Sequence, residues 1–157
     1  MLVRGIRGAT TAEANTREAI LDATRELFAA LIEANNIDHE LVASVIFSTS
    51  PDVNAEFPAV AAREAGWTDV ALMCGHEMGV PGSLQRCVRI LIYVNTDLRL
   101  SELKHIYLRG AQVLRPDLVS GAASTPASDA PPSTGAGSAS STATQSSASQ
   151  STTEAAR

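Results

Sequence analysis

No stretch of this sequence is strongly basic, none is long and apolar, and only six aromatic side chains are spread along it. A formal net charge of −5 with no Lys/Arg-rich run lacks the footprint that counterion release on nucleic acid demands. Apolar runs stop well short of the roughly 18 residues that span a bilayer, and no basic stretch leads into an apolar one near the start. The expectation is a cytoplasmic protein with no nucleic-acid or membrane partner. Cys74 and Cys87 form no CxxC and are expected to stay reduced. His76 and Glu77 are adjacent, yet no HExxH, Cys/His cluster or paired-carboxylate spacing accompanies them, so no metal is expected. "GVPGS" lacks the lysine of a phosphate-binding loop and leads into a strand, and there is no GxSxG elbow. His39 and His105 read as surface or cap residues. What remains is charge and hydrogen-bond donors, with little machinery for moving protons.

Two regions are present. After about Leu118 the sequence turns almost entirely to Ser, Thr, Ala, Gly and Pro. That composition buries too little apolar surface to offset its ordering entropy, which predicts a disordered tail over 119–157. Residues 1–118 fit one globular domain of ordinary size. "LVRGIRGAT" reads as a strand. "NTRE" then offers a capping box, Asn15 with Glu18, before Ile20, Thr24, Leu27 and Leu31 at helical spacing, with a stop at Asn35-Asn36. "LVASVIFSTS" reads as a buried strand and "PDVN" as a turn. "FPAVAAREAG" is a short helix with Pro58 in its first turn and Gly66 as its stop. "DVALMC" and "RCVRILIYVNT" are strands separated by a Gly/Pro loop. "DLRLSELK" is a polar turn with a single helical turn, and "HIYLRGAQVL" reads as a last strand with a bulge at Gly110. The order β-α-β-α-β-β-β predicts an α+β fold, a mixed sheet with helices packed on one face.

Strand alternation isolates two arginines. In "CVRILIYVN", Val88, Ile90, Ile92 and Val94 form one apolar face, while Cys87, Arg89, Leu91 and Tyr93 form the other. Arg7 shares its face with Val3, Gly5 and Ala9. Each guanidinium therefore projects among neutral neighbours, where an unpaired charge is costly. Either each meets an internal carboxylate or solvent at a sheet edge, or the two together hold an anionic ligand, whose carboxylates match the guanidinium fork.

The segments "VRGIRGATT", "FPAVAAREAGW", "CGHEMGVPGSLQRCVR" and "HIYLRGAQVLRPDL" resemble, in order and over residues 1–118, the monofunctional AroH-class (Bacillus-type) chorismate mutases. The resemblance implies an α/β pseudo-barrel that forms a homotrimer with active sites at subunit interfaces. It implies conversion of chorismate to prephenate on the route to phenylalanine and tyrosine, an intramolecular Claisen rearrangement that needs neither nucleophile nor cofactor. It also implies roles. Arg7 would bind a carboxylate, and Arg89 would reach the ether oxygen and a carboxylate. Tyr107 would add a hydrogen bond, and Glu77 with the Cys74 region would bind the ring hydroxyl. Phe57, Ala59 and Arg63 would line the pocket from a neighbouring subunit, and Leu114 and Arg115 would close over the ligand. Met73 stands where relatives can carry threonine, and Val60 where they can carry lysine, a loss of polar groups expected to weaken substrate binding while leaving the Arg7, Glu77 and Arg89 set intact. The competing readings are a related trimeric small-molecule-binding or imine-deaminase-like protein, and an interaction module that docks through its tail.

Overall fold

The structure, a computed structural model, describes residues 1–119. Apart from its first residue, the segment expected to be disordered lies outside the described residues. Five strands form one mixed sheet: β1 (Leu2–Thr11), β2 (Val42–Thr49), β3 (Ala71–His76), β4 (Cys87–Thr96) and β5 (Ile106–Tyr107). Their spatial order is β3-β2-β4-β1-β5. The two longest strands, β1 and β4, pair antiparallel at the centre, β2 is antiparallel to β4, and β3 and β5 add as parallel edges.

One face is covered by α1 (Arg17–Asn35) and α2 (Ala59–Glu64). From α1, Leu27, Phe28 and Leu31 pack with Ile6, Val45, Phe47, Ile90 and Ile92 of the sheet and with Ala59 and Ala62 of α2. Phe28 sets its ring edge-on to Trp67 at 4.7 Å between centroids, an arrangement favoured by the ring quadrupoles. The alternating stripe Val88, Ile90, Ile92 and Val94 lies in this core as its period-2 pattern requires. The α+β architecture with helices on one face is thus the observed one.

Helix ends follow local chemistry, with one correction. Thr16, not Asn15, caps α1: its Oγ1 accepts from the Ala19 backbone N–H at 3.3 Å. Asn15 instead clasps the loop before α2, accepting from the Asn54 and Ala55 N–H groups and donating to the Asn54 side chain. Asn36, just past α1, takes a left-handed φ of 47°, and Gly66, just past α2, takes 91°. Both ends close with the paired backbone bonds of a Schellman motif.

The last predicted strand is also corrected. Only Ile106–Tyr107 pairs, against Gly8 and Ala9. Arg109 has φ 48°, which ends the extended run, and Arg109–Leu114 winds into a 3-10 helix. Gly110 is no bulge: its N–H donates to Thr11 Oγ1 at 3.1 Å, so the segment folds back over β1. There Ala111 packs on Ala9 and Cys87, with Leu84, Tyr107 and Leu114 around them. This small cluster closes one end of the sheet face that the helices leave open. A short helix, α3 (Pro116–Val119), follows.

Candidate active site

Sheet register assembles the open face. Reading across β3, β2, β4, β1 and β5, cross-strand partners form a single row: Gly75, Ser48, Arg89, Ala9, Tyr107. Arg7, two residues along β1 from Ala9, pairs with Leu91, so Arg7 and Arg89 are diagonal neighbours on one face. Diagonal positions lie about 7–8 Å apart, within reach of long side chains. Ala9 between Arg89 and Tyr107 is the smallest side chain a strand there could carry, and it leaves a groove. This groove, of about 230 Å³, is lined by Arg7, Ser48, Glu77, Arg89, Leu91 and Tyr107 among others.

The groove holds two guanidinium groups and one carboxylate. Among the described residues Arg7 has no carboxylate partner. Arg89 Nε stands 3.6 Å from Glu77 Oε1, too far for a hydrogen bond, and is buried with no acceptor. Glu77 Oε1 accepts instead from Ser48 Oγ, and the Glu77 N–H is tied to the Thr49 carbonyl at 2.7 Å. Beneath Arg89 lies Cys87, whose thiol burial pushes up in pKa against the opposing pull of Arg89. A neutral thiol there leaves the guanidinium charge intact. Glu77 and Arg89 also border a side pocket of about 150 Å³ with Ser50, Met78 and Leu84.

Arg7 is held through its backbone, its N–H donating to His105 Nδ1 at 3.2 Å. The His105 proton therefore sits on Nε2. Burial first, then the charges of Arg7 and Arg115, lower its pKa. Arg115 clasps Asp117 with two guanidinium nitrogens, Nη2 at 2.7 Å. That pairing holds the Asp117 carboxyl below its ordinary range. Leu114 packs at the same end of the groove.

The remaining residues singled out in the sequence lie elsewhere. Phe57, Ala59, Arg63 and Cys74 line a second cavity of about 290 Å³ with Leu72. Cys74 pairs in register with Phe47 and so faces the helices, away from Arg89. Met73, its neighbour, is on the open face but exposed, with β2 and β4 between its strand and that of Arg7. One chain thus divides these residues between two cavities, an arginine groove and a Phe57–Arg63 cavity. A further cavity of about 370 Å³ adjoins the second of these at Phe57 and Cys74 and is lined by Thr49, Glu56 and His76 but by no guanidinium. It is therefore the less suited of the two to a dianion. Ser48 and His105 were missed as site residues in the sequence. A serine inside an apolar strand gives no local signal, and the tie between His105 and Arg7 spans most of the chain.

The groove thus brings together two guanidinium groups, Arg7 with no carboxylate partner among the described residues and Arg89 with Glu77 3.6 Å away. The chain's family is shown by comparison. The model of the type I chorismate mutases matches residues 3–118, and the chain belongs to that family. It is 50% identical to the chorismate mutase AroH of Thermus thermophilus over 120 residues, 76% of this chain and 98% of that one. It is 45% identical to chorismate mutase AroH of Bacillus subtilis over 119 residues, 75% of this chain and 94% of the relative. The solved chorismate mutase from Clostridium thermocellum superposes with a TM-score of 0.69 at 45% identity, covering 70% of this chain and 98% of that one. No described helix is long and apolar enough to cross a membrane.

Proposed function

We propose that the Arg7–Arg89 groove is where this chorismate mutase rearranges chorismate to prephenate, breaking the ether C–O bond as the new C–C bond forms. The buried Arg89 Nε without an acceptor carries this reading, because an unpaired buried donor calls for an explanation and an oxygen of the substrate supplies one. The substrate is a dianion that has to fold into a chair-like shape. Arg7 grips one carboxylate and Tyr107 adds a hydrogen bond, which restricts the substrate to reactive conformers. Arg89 faces the ether oxygen, where negative charge develops, and also meets a carboxylate. Glu77 takes the ring hydroxyl through the oxygen that Ser48 leaves free. No proton has to move, which suits a groove with no general base beside a nucleophile.

The groove is one half of the site. Phe57 is 68% exposed although aromatic, and Arg63 beside it has no carboxylate partner among the described residues. A neighbouring copy in a trimer would bring its Phe57, Ala59, Arg63 and Cys74 over the first copy's arginines, completing the enclosure, with Leu114 and Arg115 closing the end. Catalysis then belongs to residues 1–118, the stretch to which the family likeness extends, with 119–157 as an appendage. Loss of chorismate absorbance on mixing with purified protein tests the reaction. Arg89→Ala should cut turnover a hundredfold or more, since a donor facing a developing oxyanion contributes about 2.7–4 kcal/mol. Near-normal turnover by that variant would remove the mechanism.

A further inference from the structure

Glu77 and Arg89 carry opposite charges on adjoining elements, yet they do not close into a hydrogen-bonded pair. Their nearest atoms stay 3.6 Å apart. At that distance the charges attract, but a hydrogen-bonded pair would go further and engage Arg89 Nε with a carboxylate before any ligand arrived. The groove needs the opposite: a guanidinium with an open donor beside a carboxylate that still accepts from the ligand.

The row of cross-strand partners supplies the reason. Ser48 stands between Gly75 of β3 and Arg89 of β4, and its Oγ donates to Glu77 Oε1, the oxygen nearer to Arg89. Gly75 offers no side chain to compete for that space. The Glu77 backbone is fixed independently by the Thr49 carbonyl, so the serine decides only where the carboxylate points. We propose that Ser48 is a positioning residue for the reaction: it occupies Glu77 Oε1, keeps the carboxylate off Arg89, and leaves Arg89 Nε and Glu77 Oε2 for the substrate. This rests on the reading of the groove given above.

Three comparisons test it, starting from the wild-type chain. Ser48→Ala should lower kcat about tenfold or more, the loss expected when a hydrogen bond to a charged group goes, while Ser48→Thr, which keeps a hydroxyl, should retain most of the activity. Wild-type kcat in Ser48→Ala, or equal losses in both variants, would overturn the proposal. Because Ser48 acts through Glu77, adding Ser48→Ala to a Glu77→Gln chain should cost little more, and fully additive losses would overturn it. A crystal structure of Ser48→Ala should show the Glu77 carboxylate closed to hydrogen-bond distance on Arg89, and an unchanged separation would again overturn it. Absence of chorismate turnover in the wild type would sink the reading of the groove, whereas an active wild type with an indifferent Ser48→Ala sinks only the role of Ser48.

Discussion

Arg7 and Arg89 place two positive charges on one side of a strand pair, where with no anion between them they repel. What holds Arg7 in place is a neutral histidine ring, since His105 accepts the Arg7 N–H through an unprotonated Nδ1. Its pKa is lowered in the folded chain by burial and by Arg7 and Arg115. The sign follows: below about pH 6.5 the unfolded chain takes up a proton that the folded chain refuses, so stability falls with falling pH until the folded pKa is reached. Above that pH the contribution is complete. His105→Asn keeps an acceptor near the Nδ1 position but cannot titrate. Urea unfolding at several pH values between about 5 and 7 should therefore give a flatter stability profile for His105→Asn than for the wild type. Parallel profiles would show that His105 is not the group responsible.

At the scale of elements, the site depends on how closely β5 lies against β1. Gly8 makes that approach possible: a Cβ there would meet the Ile106 carbonyl oxygen at 2.7 Å and Leu27 Cδ1 at 2.9 Å. A backbone oxygen cannot step aside without moving its strand. Gly8→Ala should push β5 outward and carry Tyr107 with it, costing about 1–3 kcal/mol of stability by overpacking and raising KM severalfold. Thermal denaturation and steady-state kinetics check both, and an unaltered KM would detach Tyr107 from binding. Such pairings mark where sequence reading ran out. The alternation of Val88 to Val94 gave away the core stripe and the face of Arg89, because a strand's period is local. That Arg7 comes to lie beside it depends on the register Ala9↔Arg89, joining residues about eighty positions apart. "HIYLRGAQVL" misled because its apolar residues alternate as a strand's do. The positive φ of Arg109 and the bond from Gly110 to Thr11 turn it into a 3-10 helix, and both are set by contact with β1. The cap slipped by one residue because Asn15 is drawn away to the loop at Asn54, leaving Thr16 to cap α1.

At the scale of the whole molecule, the proposed trimer would join the arginine groove of one copy to the Phe57–Arg63 cavity of another. Val3, Phe57 and Met73 are large apolar side chains that the described chain leaves exposed. The family likeness ends at residue 118, so removal of residues 119–157 should leave turnover and oligomeric state unchanged. A loss of either would give the tail a part in catalysis or assembly. The proposal that a neighbouring copy supplies Phe57, Ala59 and Arg63 also explains how an open sheet face could gain an enclosed site. Its most direct test mixes two impaired chains, Arg89→Ala and Arg63→Ala, after joint unfolding and refolding. Sites at heterologous interfaces then form with both arginines intact in about a quarter of cases. The account predicts recovery of roughly that fraction of wild-type turnover, and none from mixing Arg89→Ala with Arg7→Ala, which fall in the same half. A mixture of Arg89→Ala and Arg63→Ala no more active than its separate components would contradict a site shared between copies.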